Sequence, residues 1–246
     1  MLARTQAIAG PLALVGGDEL RPGNEEQDRV LVEAAGGAPA FVLATAAGRH
    51  RPHLAVAHAQ AWFRTLGLEV EELPAVRRRD VTSEAVAARA GTGRFFYLVG
   101  GDPGIVPATL AGTPVWKAIL EAWRSGAALA GSSAGAMALG SWTLIRDRRP
   151  GDIRRRYLPA LGVVPRVAVI PHLETFGWQW VPGALGDAVT NDAVLLGIDE
   201  RSAALWRAGE WRATGPGAVT VFAADGSQRR SENGATIEGM PEPLTG

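Results

Sequence analysis

Five residues, Gly131-Ser132-Ser133-Ala134-Gly135, have the types and spacing to hold a hydroxyl for attack on a carbonyl carbon. They follow the apolar run Ala127-Ala128-Leu129-Ala130 and precede Ala136-Met137-Ala138. This pattern predicts strand, tight turn and helix, the context in which G-x-S-x-G forms a nucleophile elbow. The middle residue of such a turn sits in strained backbone geometry and needs neighbours nearly free of side chain. Gly131, Ala134 and Gly135 meet that need, so Ser133 is the expected nucleophile. The helix that follows aims its first N–H groups and its positive dipole end at the point where an oxyanion develops. Ser132 is the rival hydroxyl, but the second place of the motif points its side chain away from the apex. A plain Gly-rich loop or an anion-binding turn is the simpler alternative.

A serine hydroxyl is a weak nucleophile unless a base within hydrogen-bond reach takes its proton. Of the four histidines, His50, His53 and His58 precede the elbow and His172 follows it. Pro171-His172-Leu173-Glu174 comes directly after the buried-looking run Val167-Ala168-Val169-Ile170, so His172 is the expected base at a strand end. The histidines lack metal-ligand spacing with carboxylates, so neither a metal nor a cofactor is expected.

These groups need a scaffold. Residues 11–15 read as a buried strand ending at Gly16-Gly17-Asp18-Glu19. Asn24 is the expected cap of a helix that carries Val30, Leu31 and Ala34. Residues 40–44 form a second strand and residues 54–66 a helix. Residues 68–73 alternate as an edge strand, residues 83–90 form a short helix, and residues 95–99 a strand of high propensity. That strand runs into Gly100-Gly101-Asp102-Pro103-Gly104, where two glycines after a buried strand imply a hard turn or a close approach. Thr113-Pro114 starts a helix reaching about Ser125. After the elbow comes a polar stretch, then the strand before His172, a helix over 182–189 and a strand over 193–198. A β-meander follows over 203–206, 210–213 and 219–222, with a loose tail after residue 223. Strands alternating with helices imply a mostly parallel α/β sheet, with ligands at the carboxyl ends of its strands.

With 246 residues, one domain is expected. The 25 Lys and Arg balance the 25 Asp and Glu, so nothing invites nucleic acid or an anionic membrane. The basic run over 146–156 reads as a solvated loop, or as a rim that attracts an acidic substrate. Cysteine is absent, which excludes disulfides and thiolate nucleophiles. No signal peptide or membrane span is apparent, and a cytoplasmic location is expected. Trp178 and Trp180, close behind His172, are candidates to line a cleft or to serve as packing residues.

Taken in order, Gly100-Gly101-Asp102, Gly112-Thr113, Gly131 to Ala136, Pro171-His172, and Gly197-Ile198-Asp199-Glu200 followed by Ala203-Ala204-Leu205 resemble the cyanophycinase and dipeptidase E family, peptidase family S51. The resemblance covers residues 12–222. It implies a three-layer α/β sandwich of the class I glutamine amidotransferase type, with serine in place of cysteine. It also implies a triad of Ser133 as nucleophile, His172 as base and Glu200 as the acid that orients it, with the N–H groups of Gly101 and Ala134 as oxyanion donors. Glu174, in a His-x-Glu spacing similar to that of the amidotransferases, is a rival acid, and Asp147 a third. Asp102, Pro103, Glu174 and Trp178 are the candidate substrate contacts.

Two features depart from that family. Its arginine-rich segment after the histidine is replaced here by Leu173 to Trp180, and Pro103 stands where a glutamine commonly follows. Small peptides or isopeptides are therefore the expected substrates, without an assigned side-chain preference. The other readings are a catalytically silent relative that binds a ligand or partner in the cleft, and an esterase of the α/β-hydrolase type, which places its histidine last. A C-terminal sheet edge or exposed tryptophans offer a surface for a homodimer.

Overall fold

The computed structural model describes residues 9–49, 51–146, 155–223 and 225–245. Its first half alternates strand and helix: β1 (Leu12–Val15), α1 (Glu25–Ala35), β2 (Ala40–Leu43), α2 (Pro52–Thr65), β3 (Glu71–Glu72), α3 (Arg78–Val81), α4 (Glu84–Gly91), β4 (Phe95–Leu98), α5 (Ile105–Leu110), α6 (Pro114–Arg124), β5 (Ala128–Ser132) and α7 (Ala134–Leu139). Strands β1 to β5 form the parallel part of a 7-stranded sheet, in the order β1-β5-β4-β2-β3.

Successive strand residues face opposite sides, and this sheet is covered on both. Ala13, Val15, Val42, Phe95 and Tyr97 pack under α1 and α2 with Phe63, whose ring lies 4.9 Å from that of Phe95. Leu12, Leu14, Phe41, Leu43, Phe96 and Leu98 face the other way, against Val115, Ile119 and Trp123 of α6. Burying each such side chain contributes about 1.5–3 kcal/mol before entropy is counted. Helix α6 starts as expected: the Thr113 hydroxyl accepts the Trp116 N–H at 3.2 Å and Pro114 occupies the first turn. Asn24 stands at the start of α1, but its side chain makes no cap bond. Its amide donates instead to the carbonyls of Asp18 and Arg21, holding the loop after β1.

The second half adds β6 (Gly140–Arg146), β7 (Arg155–Pro159), β8 (Val164–Ile170), α8 (Val181–Thr190), β9 (Val194–Ile198), β10 (Ala203–Arg207), β11 (Glu210–Thr214), β12 (Ala218–Phe222) and β13 (Gln228–Glu232). Strands β10 and β11 join the first sheet antiparallel, beyond β1. The others build a second, 6-stranded sheet in the order β13-β12-β9-β8-β6-β7. The mixed α/β architecture with a mostly parallel central sheet and antiparallel C-terminal strands is thus as expected from the sequence.

Several elements differ. The expected meander is two hairpins on different sheets, because the chain crosses between sheets after β11. The polar stretch after the elbow contains β6 and β7; residues 147–154, most of the expected basic loop, and with them Asp147, lie outside the described residues. The expected edge strand over 68–73 shrinks to Glu71–Glu72, although Leu68 and Val70 are buried. Within the tail, β13 pairs with β12, the Leu244 N–H donates to Val163 O at 2.8 Å, and the Trp211 indole donates to Pro241 O at 2.9 Å. Among the described residues no helix is long and apolar enough to cross a membrane.

Candidate active site

Ser133 follows β5 and precedes α7 with φ 50° and ψ −111°, a left-handed φ uncommon for a residue with a Cβ. Its neighbours explain why the turn closes. A Cβ on Gly131 would lie 2.5 Å from the Gly135 carbonyl carbon, and one on Gly135 would lie 2.2 Å from Leu98 O, so neither position admits a side chain. Ser132 is fully buried and its hydroxyl donates to Glu19 Oε2 at 3.0 Å, which removes it as the rival nucleophile.

His172 reaches this point from the second sheet. Strands β8 and β9 are parallel, with Ile170 opposite Gly197, so His172 and Glu200 emerge side by side at their carboxyl ends. His172 Nε2 lies 3.1 Å from Ser133 Oγ, and His172 Nδ1 lies 2.7 Å from Glu200 Oε1. A proton on Nδ1 donates to the carboxylate and leaves Nε2 as acceptor for the serine hydroxyl, the tautomer that a base requires. The ring of Phe176 stacks on the imidazole at 4.8 Å between centroids.

Glu174, the rival acid, makes a different contact. Both its oxygens accept the Glu200 backbone N–H, at 2.9 and 3.0 Å, so it props the segment that carries Glu200. Burial raises its pKa, the bond from the Glu200 N–H opposes that shift, and the Asp199 charge adds to it. Asp199 is itself turned inward, accepting the Ala218 N–H at 2.9 Å.

Two glycines at the end of β1 take part in the seam between the sheets. The Gly16 carbonyl accepts the His172 N–H at 2.7 Å, and the Gly17 carbonyl accepts the Arg201 N–H at 2.8 Å. A Cβ on Gly17 would lie 2.2 Å from His172 Cε1 and 2.4 Å from Nε2, at φ +108°. Gly17→Ala therefore displaces the imidazole from Ser133. Misplacing a reacting group by an ångström costs about 100-fold, so labelling of Ser133 by a fluorophosphonate is expected to slow by at least that much. Gly37→Ala, at φ +124° with open space around it, controls for backbone strain and is expected to label at the wild-type rate.

Gly101 turns at φ +146°, and a Cβ there would lie 2.3 Å from Ala46 O, so the loop after β4 presses against the loop after β2. Asp102 fixes the same loop: its N–H donates to Ala46 O, its Oδ1 accepts the Gly104 N–H, and its Oδ2 lies 3.6 Å from Arg49. The Pro103 carbonyl accepts the Thr143 hydroxyl of β6 at 3.2 Å. Beyond Asp102 and Pro103 opens a cleft of about 820 Å³ whose walls carry Arg49, Arg77, Arg146, Arg155 and Arg156. Trp178 turns away and packs edge-on against Phe222, whereas Trp180 meets Phe176 at a tilt of 58°, 5.2 Å between centroids. The Arg155 guanidinium lies 3.8 Å over the Trp180 ring.

Gly16, Gly17, Glu19 and Phe176 were not singled out from the sequence. The glycine pair carried the same signal as Gly100-Gly101, two glycines after a buried strand. Behind them Asp28 is fully buried, accepting the Trp62 indole N–H at 2.7 Å. Burial pushes its carboxyl up to about 7 against the pull of that bond, and the charges of Glu19 and Glu25 add to the rise.

A family model described as peptidase family S51 matches residues 12–213. Among solved structures, a peptidase from an acI-B1 Actinobacterium is 30% identical with a TM-score of 0.81, covering 94% of this chain and 98% of that one. A protein assigned as a peptidase E from Listeria monocytogenes EGD-e is 19% identical with a TM-score of 0.56, covering 85% and 99%, a likeness of fold. No curated protein matches the chain.

Proposed function

Because the chain belongs to peptidase family S51, we propose that it is a serine peptidase that cleaves small peptides or isopeptides through an acyl-enzyme on Ser133. The observation that carries this reading is the line of contacts Ser133 Oγ to His172 Nε2 at 3.1 Å and His172 Nδ1 to Glu200 at 2.7 Å. Ser133 Oγ attacks the substrate carbonyl carbon as its proton passes to His172 Nε2, and Glu200 stabilises the imidazolium that results. The N–H groups of Gly101 and Ala134 receive the oxyanion. As the C–N bond breaks, the leaving amine takes the proton from His172 and the acyl group remains as an ester on Ser133. His172 then deprotonates a water, which attacks the ester carbon, and Ser133 regains its proton as the acid leaves.

The substrate is read from the walls. Phe176 offers a flat apolar face beside His172, with Trp180 next to it, and the arginines of the cleft beyond Asp102 suit an anionic group on the same short substrate. A mixture of dipeptides, tripeptides and β-aspartyl isopeptides, followed by mass spectrometry, tests the proposal. Wild-type protein is expected to release products that Ser133→Ala does not. Equal cleavage by Ser133→Ala overturns it.

A further inference from the structure

Glu19 lies in the loop after β1, half-buried, and its two carboxylate oxygens reach two different strand ends. Oε1 accepts the Gly100 N–H just beyond β4 at 2.8 Å, and Oε2 accepts the Ser132 hydroxyl at the end of β5 at 3.0 Å. Each of these residues adjoins a part of the site: Gly100 precedes the oxyanion donor Gly101, and Ser132 precedes the nucleophile. The three meet closely, since a Cβ on Gly100 would lie 3.0 Å from Glu19 Oε1 and 3.3 Å from Ser133 Cβ. We propose that Glu19 is a positioning residue whose carboxylate clamps the Gly100–Gly101 loop to the elbow and so fixes the distance between the two oxyanion donors. The inference rests on Ser133 being the nucleophile.

The surrounding loop is built to aim this one side chain. Asp18 and Leu20, on either side of Glu19, both adopt left-handed φ, at 52° and 62°. Such conformations persist only where the surroundings over-determine them. Here the Asp18 carboxylate is gripped by Arg21 at 2.8 Å and approached by Arg201 at 3.5 Å, while its carbonyl accepts the Asn24 amide at 3.0 Å. A negative charge beside an oxyanion site opposes the reaction through space, so a carboxylate kept there needs an offsetting use. A two-pronged acceptor that can hold an N–H and an O–H at once provides one. Gly101 is thereby held from two sides, by Ala46 O across its α-carbon and by Glu19 through the preceding N–H.

Reach and charge separate this role from a general electrostatic or structural one. Glu19→Gln keeps the length and one carbonyl acceptor for Gly100, and its amide can donate to the Ser132 oxygen. Glu19→Asp keeps the charge but is too short to span both strand ends. The probe is a fluorophosphonate, which phosphonylates Ser133: the Oγ–P bond forms, fluoride leaves as the P–F bond breaks, and His172 takes the hydroxyl proton. Its phosphonyl oxygen occupies the oxyanion position.

The limiting labelling rate and the inhibitor affinity are measured separately, with thermal unfolding as the check on folding. Glu19→Asp is expected to lower the limiting rate about 30- to 100-fold with affinity changed less than about threefold, Glu19→Gln to stay within about fivefold of wild type, and Ser132→Ala to lose about tenfold. Wild-type labelling by Glu19→Asp, or a Glu19→Asp rate at or above that of Glu19→Gln, overturns the clamp while leaving the serine peptidase reading intact. Should Glu19→Asp not fold, Ser132→Ala carries the test, and a wild-type rate there overturns it. An unlabelled wild-type protein overturns both readings together.

Discussion

Ser133→Ala and His172→Ala are each expected to lower peptide hydrolysis by about 10⁶-fold, and the double variant to fall no further. The reason is that the two groups share one proton. Without the imidazole the hydroxyl keeps its hydrogen and is too weak a nucleophile; without the hydroxyl the imidazole has nothing to activate but water. The 3.1 Å contact between Nε2 and Oγ is what makes them one unit. Independent contributions would multiply, so a double variant far slower than either single one would show that the residues act separately. Residual activity of about 10³- to 10⁴-fold over water should persist from the oxyanion donors and substrate binding. The single and double variants, assayed on the peptide that the wild type cleaves fastest, check this.

The second large effect distinguishes two carboxylates. Glu200→Gln is expected to lower turnover about 10⁴-fold, because an amide facing Nδ1 reverses the tautomer or leaves the imidazolium without a charge partner. Glu174→Gln keeps an oxygen for the Glu200 N–H and is expected to cost no more than about tenfold, the scale of a change in a supporting contact. The geometry sets this order: Glu200 touches the imidazole at 2.7 Å, while Glu174 accepts the Glu200 backbone N–H. Turnover numbers for the two variants, compared at saturating peptide, give the ratio. A Glu174→Gln loss that matches or exceeds that of Glu200→Gln would transfer the orienting role to Glu174.

The parts of the site that were legible in the sequence are those whose chemistry is local. Gly131-Ser132-Ser133-Ala134-Gly135 announces a cramped turn by its small residues, and the Leu98 carbonyl close to Gly135 shows what they make room for. His172 and Glu200 were readable as polar residues directly after apolar strands, yet their contact depends on β8 and β9 being parallel neighbours, which spacing alone does not state. Gly17 was visible as a glycine after a strand, but its partner, the His172 ring, lies across the seam between two sheets. Glu19 gave no signal, since a single acid in a loop looks solvated until its two acceptors are placed.

The same division explains the fold. The apolar runs of β1, β2, β4 and β5 are buried on both faces and easily read. Strand β7, Arg155–Pro159, has no fully buried residue, and β13, Gln228–Glu232, buries only Ser231. Both are held at the edges of the second sheet by backbone pairing with β6 and β12, an interaction that leaves almost no mark on side-chain type. Trp178 was a reasonable candidate for the cleft by proximity to His172. The turn that follows the histidine points it at Phe222, and it is Phe176 that stacks on the imidazole.

The most direct measurement is intact-protein and peptide mass spectrometry after exposure to a fluorophosphonate. One phosphonyl group per chain, located on Ser133 and lost in Ser133→Ala, is the predicted result. No adduct at Ser133, or an undiminished adduct on the Ser133→Ala chain, would contradict the account.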